Sequence, residues 1–532
     1  MKTKNIVFIL FACSAATLAA GSATGRSFFQ PRLLWAEQML TLHNGTEYDC
    51  MPPASSGFSF NAAAGFQAST HDSKFASYFL PNGKNDLVVK GANAPGPRDI
   101  SAMWLQIVGD NTVAQPAALF VPSPDKIFDY ERAAMQWINE YSSVISLRPR
   151  FESSGVLTHL SYCAKINRMP CQLTVGVPVL HVRNNMQLCE TDVQNGFTKR
   201  SDVSSLLIEP TSIELLQEVQ PQYSLSAIEA FNNPNKRFAK ISQGALEKRG
   251  LGDVSLDLAV RPVSSVTIGL RGELPTASKG TAEYLFEPLL GSNGHGTLGA
   301  YAQMREALWS CDQGTLFLKA QLQYQAQFAG NQLRTFDLTA AGQWSRYLLL
   351  IDAANNPKNA DSGVNFLTQS AHVSARQEGL GGLSLELEHK GFLASAGYSL
   401  FAREKERVSV RTQLPQNLFI VGQLASNNSG KRNISAGEKN SSIGNHIPVG
   451  HSAFVDPLAQ ANAGLALTTA DLDVQSASMP KYFSHTVHAS LGYAGRVRQQ
   501  EVHCNLGGRY EMLRYGHNYN VYSLFAGLEI KI

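Results

Sequence analysis

The sequence predicts an all-β fold: an antiparallel transmembrane β-barrel of about 14 strands (range about 12 to 16), with long loops and a short helical segment. Three observations point there. The chain opens on an export leader yet holds no later apolar run long enough for a membrane helix; several segments alternate apolar and polar residues for more than ten positions; and one such segment runs to Ile532.

The leader comes first. Lys2 and Lys4 precede the apolar run Ile6 to Phe11, which passes through small residues to Ala19, Ala20 and Ala23. This is the pattern of a secretory signal peptide, residues 1–20 with a cut as late as 23, followed by one domain over 21–532. Leu10-Phe11-Ala12-Cys13 half-resembles a lipoprotein cleavage box. Phe11 is large for its place there, the run before it is short, and alanine-rich leader continues beyond Cys13, so an ordinary leader cysteine is the reading.

Removing Lys2 and Lys4 lowers the basic count from 45 to 43 against 42 acids, leaving a formal charge of about +1. No basic run appears, so a nucleic-acid partner is not expected. The remainder offers no stretch of roughly 18 apolar residues. Only helices and closed barrels satisfy the backbone inside lipid, which leaves a barrel or a soluble exported protein.

Strand patterning decides between them. Leu316, Leu318, Ala320, Leu322, Tyr324, Ala326 and Phe328 alternate with Phe317, Lys319, Gln321, Gln323, Gln325 and Gln327. Successive side chains of a strand point to opposite faces, so one face is apolar and the other carries lysine and glutamine, as lipid outside and water inside require. Val254 to Arg261 and Val266 to Arg271 repeat the pattern around a turn at Pro262 to Ser265. Leu383, Leu385 and Leu387 set Ser384, Glu386 and Glu388 on the other face, and Lys390-Gly391 marks a tight hairpin into Phe392 to Leu400. A soluble sandwich also alternates, but runs this long exceed the usual ~5 to 6 residues of globular strands and match the ~9 to 11 needed to cross a membrane at a tilt. Tyr522, Leu524, Ala526, Leu528, Ile530 and Ile532 form the last strand, without the terminal aromatic that barrel-assembly machinery usually reads.

Two segments do not fit the wall. Residues 190–250 hold a helical or loop insert, with Ile213, Leu215, Leu216, Val219, Leu225, Ile228, Phe231, Phe238 and Ile241 interrupted by Pro221 and Pro234; it reads as a surface-loop helix or as a plug. Residues 403–482, with Asn427-Asn428-Ser429-Gly430-Lys431-Arg432, are too polar for continuous lipid-facing wall and read as a long extracellular or constricting loop. Among the cysteines of an exported chain, Cys163 and Cys171 flank a short connection whose spacing permits a disulfide across a hairpin. No pair has the CxxC spacing of a zinc or redox site.

Several phrases carry a likeness: Arg26-Ser27-Phe28-Phe29-Gln30-Pro31-Arg32, Leu274-Pro275-Thr276, Tyr284 to Gly291 with Asn293-Gly294-His295, Arg334 to Leu338 with Trp344 to Tyr347, Asp471-Leu472-Asp473 with Ser484-His485, and Gly507 to Glu511. On these the sequence resembles a large family of poorly characterised bacterial outer-membrane β-barrel proteins, porin-like or transporter-like. The resemblance implies a single-domain barrel, no cofactor and no established substrate. Gly252-Asp253-Val254 through Thr276 also looks like part of hydrophobic-compound transporter barrels, which keeps apolar solutes among the expected cargoes.

Catalytic constellations are thin. His488 and Ser490 share a strand face from which His485 points away, with Asp471 and Asp473 upstream; lumen-lining polarity accounts for them without hydrolase chemistry. Glu287 and His295 are too few for a metal site and read as loop anchors. Arg334, Asp337 and Arg346 read as a salt-bridge network, or as a charge filter in the lumen. The expected function is a pore or channel for diffusion or uptake of small solutes across the bacterial outer membrane, not an enzyme, without cofactor or metal. The alternative is a structural or surface-display barrel with a plugged lumen. Expected partners are outer-membrane lipid, small solutes and the barrel-assembly machinery. The residues expected to face the lumen are Asp257, Arg261, Arg271, Lys319, Gln321, Gln323, Gln325, Glu386 and Glu388.

Overall fold

The computed structural model describes residues 24–33, 57–70, 73–91, 141–167, 169–194, 226–352, 360–374, 376–420, 466–498, 500–515 and 519–531, with isolated positions between them. The leader 1–20, the residues 195–223 of the expected insert and the residues 421–465 of the expected long loop lie outside the described residues.

Twelve antiparallel strands close into a barrel, the lower end of the expected range. In chain order they are β1 (Gly57–Ser69), β2 (Arg150–Ile166), β3 (Met169–Asn185), β4 (Val254–Val263), β5 (Val266–Leu274), β6 (Thr297–Cys311), β7 (Gly314–Gln327), β8 (Arg376–His389), β9 (Phe392–Arg403), β10 (Tyr482–Val497), β11 (Gln500–Tyr515) and β12 (Asn520–Lys531). Each strand pairs with its sequence neighbours, and β1 pairs with β12 to shut the ring. A short strand, Leu246–Leu251, runs along the upper part of β3 above β4, so the expected 190–250 insert returns to the ladder before its end.

The turns divide the barrel into unlike ends. At one end the strands join by tight hairpins, among them Lys390-Gly391, both with positive φ (49° and 85°). That pair is a type I′ turn, whose twist matches the flanking strands and in which glycine tolerates the left-handed backbone. At the other end the connections are mostly long.

Alternation sets the two faces of the wall. Leu383, Leu385, Leu322, Leu491, Leu506 and Leu524 all point outward and are 48 to 68 % exposed. Aromatic residues ring this apolar surface near the hairpin end, where Phe58 packs on Tyr162 and Phe392 on Tyr493. A second ring near the long-loop end includes Phe66 packed on Tyr522. From Phe58 to Phe66 the strand advances roughly 26 Å at ~3.3 Å per residue, or about 20 Å in height at a ~40° tilt, close to the ~25 Å apolar band of membrane barrels. Among the described residues no helix is long and apolar enough to cross a membrane. Inside, bulky rings lie against the wall where a glycine faces them: a Cβ on Gly269 would fall 2.3 Å from the Tyr301 ring, and one on Gly507 as close to Phe525. Each pair consists of cross-strand register partners.

The long connections fold together into a cap. Strands Asp86–Lys90, Ser142–Ser146 and Cys189–Gln194 pair across the β1–β2 and β3–β4 connections. Thr368–Val373 and Val408–Val410 pair across the β7–β8 and β9–β10 connections, and so do Leu349–Asp352 and Leu418–Ile420. The cap has its own core, including Phe75, Phe79, Phe231, Trp344, Tyr347 and Phe419, all fully buried. Among its described residues the expected insert contributes one short helix, Ala227–Asn232, capped by Ser226 and packed into this core.

The expected Cys163–Cys171 disulfide is corrected. Cys163 registers with Gln172, and Ala164 with Cys171, one position out of step. Side chains alternate across a strand, so the two sulfurs leave opposite faces of the wall.

Candidate functional site: a chamber beneath the cap

Residues 24–33 lie in the long-loop mouth of the barrel. Arg26 donates its backbone N–H to Tyr78 and Ser27 to Ser476, tying the segment to two different connections. Phe29 sits among Phe75, Tyr78, Phe79, Phe151, Phe286 and Tyr519. Arg32 reaches the wall, bonding Glu511 at 2.9 Å and stacking over Phe401 at 3.7 Å, while its carbonyl accepts from Gln67.

A buried polar relay backs this segment. Glu406 accepts from Arg376 at 2.8 Å and from the Met479 backbone at 2.9 Å, and pairs with Arg334 at 3.4 Å. Arg334 lies 3.1 Å from the centre of the Phe28 ring. Burial alone would raise the Glu406 pKa; Arg334 and Arg376 outweigh it and hold the carboxyl at about 2. Arg334 also donates to Gln332, whose amide donates to His295. Burial lowers the His295 pKa, so its neutral ring donates through Nδ1 to the Phe328 carbonyl and accepts at Nε2. Burial likewise pushes the Tyr78 hydroxyl up, and it donates to the Phe28 carbonyl at 2.6 Å.

Beneath lies a chamber of about 190 Å³. Its floor and walls come from inward positions of β5 (Arg271, Glu273), β7 (Gln323, Gln325, Gln327), β8 (Arg376, Glu378, Leu380) and β9 (Phe401, Arg403); its roof is Gln30 to Leu33. Leu180, Leu290 and Leu157 add an apolar side.

The register places eight of the nine residues expected at the lumen on one face of the wall, and Arg261 lies beside the register shift between β4 and β5. Arg271, Gln323 and Gln325 line the chamber. Asp257 accepts from the Tyr301 hydroxyl at 2.7 Å, and Arg261 lies further along β4. Lys319, Glu386 and Glu388 gather nearer the hairpin end around Arg305: Arg305 meets Glu386 at 2.9 Å and Glu388 at 3.2 Å, and Lys319 pairs with Glu386. Gln321 is the inward residue between this cluster and Gln323. The sequence reading missed Arg305, Arg376, Arg403 and the Arg32–Glu511 pair. Alternation would have flagged the first three, since Arg305 keeps the period of Tyr301 and Gln303, Arg376 that of Glu386 and Glu388, and Arg403 that of Ser399 and Phe401; the Arg32–Glu511 pair depends on how distant segments meet.

The other singled-out residues separate. Arg346 and Asp337 form a fully buried bidentate pair, at 2.8 and 2.6 Å, remote in role from Arg334, which serves Glu406. Glu287 accepts from the backbone of Thr281 and Ala282 and acts as a loop anchor. His488 faces inward and His485 outward, bonded to Tyr398; Asp471 caps the turn at Thr468 and Asp473 the one at Gln475. Among the described residues no group of three or more His, Cys, Asp or Glu side chains is placed to hold a metal.

No family model and no curated protein matches this chain. Among solved structures it is similar to the COG4313 outer membrane channel from Pseudomonas putida F1, with 7 % identity over 90 % of this chain and 97 % of that one and a TM-score of 0.35. It is also similar to the Pseudomonas putida toluene transporter TodX, with 8 % identity over 96 % and 95 % and a TM-score of 0.27. A Pseudomonas aeruginosa FadL homologue follows at 8 %, 90 % and 89 %, with a TM-score of 0.24. At these values the likeness transfers neither substrate nor mechanism, and the chemistry rests on the chamber itself.

Proposed function

We propose that this protein is an outer-membrane channel for the diffusion or uptake of small solutes, closed at its long-loop end by residues 24–33 and the cap. The observation that carries this is the wall itself. Its outer face is apolar between two aromatic rings, and its inner face presents Ser, Thr, Gln, Arg and Glu around the ring, as a water-lined path within lipid requires. The short hairpins then face the periplasm and the cap faces outward, the usual asymmetry of such barrels. Apolar solutes stay within this reading because Leu157, Leu180, Leu290 and Leu380 share the chamber with the polar groups.

A second reading, a display barrel that never conducts, draws on the cap's packed core and the seated N-terminal segment. Single-channel recording in planar bilayers separates the two, using the intact protein beside an Arg32→Ala/Glu511→Gln double variant. Discrete steps, more frequent in the variant, support the channel. Silence from both forms, with insertion verified, removes the channel reading and leaves the display barrel.

A further inference from the structure

In and around the chamber the carboxylates other than Glu378 are matched, whereas two guanidinium groups are not. Asp253 accepts from two backbone N–H groups, of Ala277 and Ser292; Glu273 pairs with Arg271; Glu511 takes Arg32, Tyr482 and Ser484; Glu406 takes Arg376 and Met479. Arg403, by contrast, is 7 % exposed, its Nε has no hydrogen-bond partner, its Nη2 has only the Met479 sulfur at 3.9 Å, and its guanidinium stands 5.1 Å from the centre of the Tyr482 ring. Among the described residues no carboxylate lies within ion-pair distance of it. Arg376, 3 % exposed, also leaves Nε without a hydrogen bond; Glu378 stands 3.7 Å away. A buried guanidinium left short of acceptors is costly unless an anion completes it, and its planar fork suits a carboxylate. Leu157, Leu180, Leu290, Leu380 and Phe401 give the chamber one apolar side among its polar walls, and a cavity of ~150 Å³ lined by apolar residues suffices for benzene.

We propose that the chamber binds small organic carboxylates with an apolar body, the carboxylate on Arg403 and Arg376 and the body against Leu180, Leu290, Leu380 and Phe401. The inference rests on the channel reading for its purpose, since it names the class of solute that pauses on the way through.

Calorimetric titration of the full-length protein, folded in detergent, tests it with three probes: benzoate, benzyl alcohol and formate. Charge-assisted hydrogen bonds predict that benzoate binds roughly tenfold to hundredfold more tightly than benzyl alcohol, which has the body without the charge. Formate, the charge without the body, binds more weakly than benzoate. Arg403→Gln reduces benzoate to the level of benzyl alcohol and leaves benzyl alcohol unchanged, whereas Arg403→Lys keeps part of the preference; barrel folding is checked by heat-dependent gel migration. Equal binding of benzoate and benzyl alcohol to the natural chain overturns the proposal without recourse to any variant. So do formate binding as tight as benzoate, absence of benzoate binding, and a folded Arg403→Gln that holds benzoate undiminished. Titration in detergent is independent of conduction, so a protein that binds benzoate but never conducts loses the channel and keeps the site, and one that conducts but ignores benzoate loses only the site.

Discussion

In the wall, Leu383 and Leu385 face outward and Ser384 and Glu386 inward; in the cap, Phe231, Trp344 and Tyr347 pack edge to face and tilted, with centroids 5.2 to 5.6 Å apart, and no solvent reaches them. The two regions use apolar residues for opposite purposes. The wall turns them toward lipid and leaves polar groups to line the interior, while the cap turns them inward, as a water-soluble domain does. The wall is specified by pairing between neighbouring strands; the cap is specified by contacts between connections that are distant in sequence. The same chain therefore holds a lipid-soluble ring and a water-soluble lid, and their sensitivities should differ.

The largest effect should fall on the cap alone. Asp337→Ala strips the buried Arg346 guanidinium of its carboxylate and should cost about 3 to 5 kcal/mol, because an unpaired charge is left inside. Urea titration followed by near-UV circular dichroism should show the loss in the cap's aromatic signal while heat-dependent gel migration of the barrel persists. Simultaneous loss of both signals would mean that cap and wall unfold as one unit. The converse substitution, Leu383→Arg on the outward face, should cost about 2 to 4 kcal/mol in lipid and leave the cap signal unchanged. Gln321→Arg on the inward face should be nearly neutral in the same assay.

Acid should loosen the cap before the wall. The Glu406 pKa is depressed in the folded protein, so its ion pairs contribute in full above the unfolded value near ~4.3 and fade as the pH falls toward about 2. The contribution is at most about 3 kcal/mol. Glu406→Gln should flatten that part of the pH–stability curve, and an unchanged acid limb would remove Glu406 as its source. A smaller effect, on the order of 1 kcal/mol, is expected for Gly391→Ala in the β8–β9 turn, where the added Cβ meets the Ala494 carbonyl at 2.5 Å and the backbone is left-handed. It should appear as slower refolding or a lower urea midpoint of the barrel, with the cap unaffected.

Much of the wall is legible in the sequence because a strand writes its environment locally. A period of two over 316–328 or 254–271 requires only that each residue differ from its neighbours, so the strands, their outward leucines, the Lys390-Gly391 turn and the face carrying Asp257 to Glu388 follow from the residues themselves. What the residues cannot specify one by one is which distant segments meet. Ser27 lies 449 positions from Ser476, yet contacts it only because the barrel closes and brings the segment before β1 and the β9–β10 connection over one mouth. The register of the β2–β3 hairpin decided that Cys163 and Cys171 part to opposite faces, and closure decided that polar segments fold into a cored cap and that Arg403 reaches the chamber without a carboxylate of its own. Alternation is set by backbone geometry between adjacent residues, whereas register, closure and the meeting of loops are set by the whole ring at once.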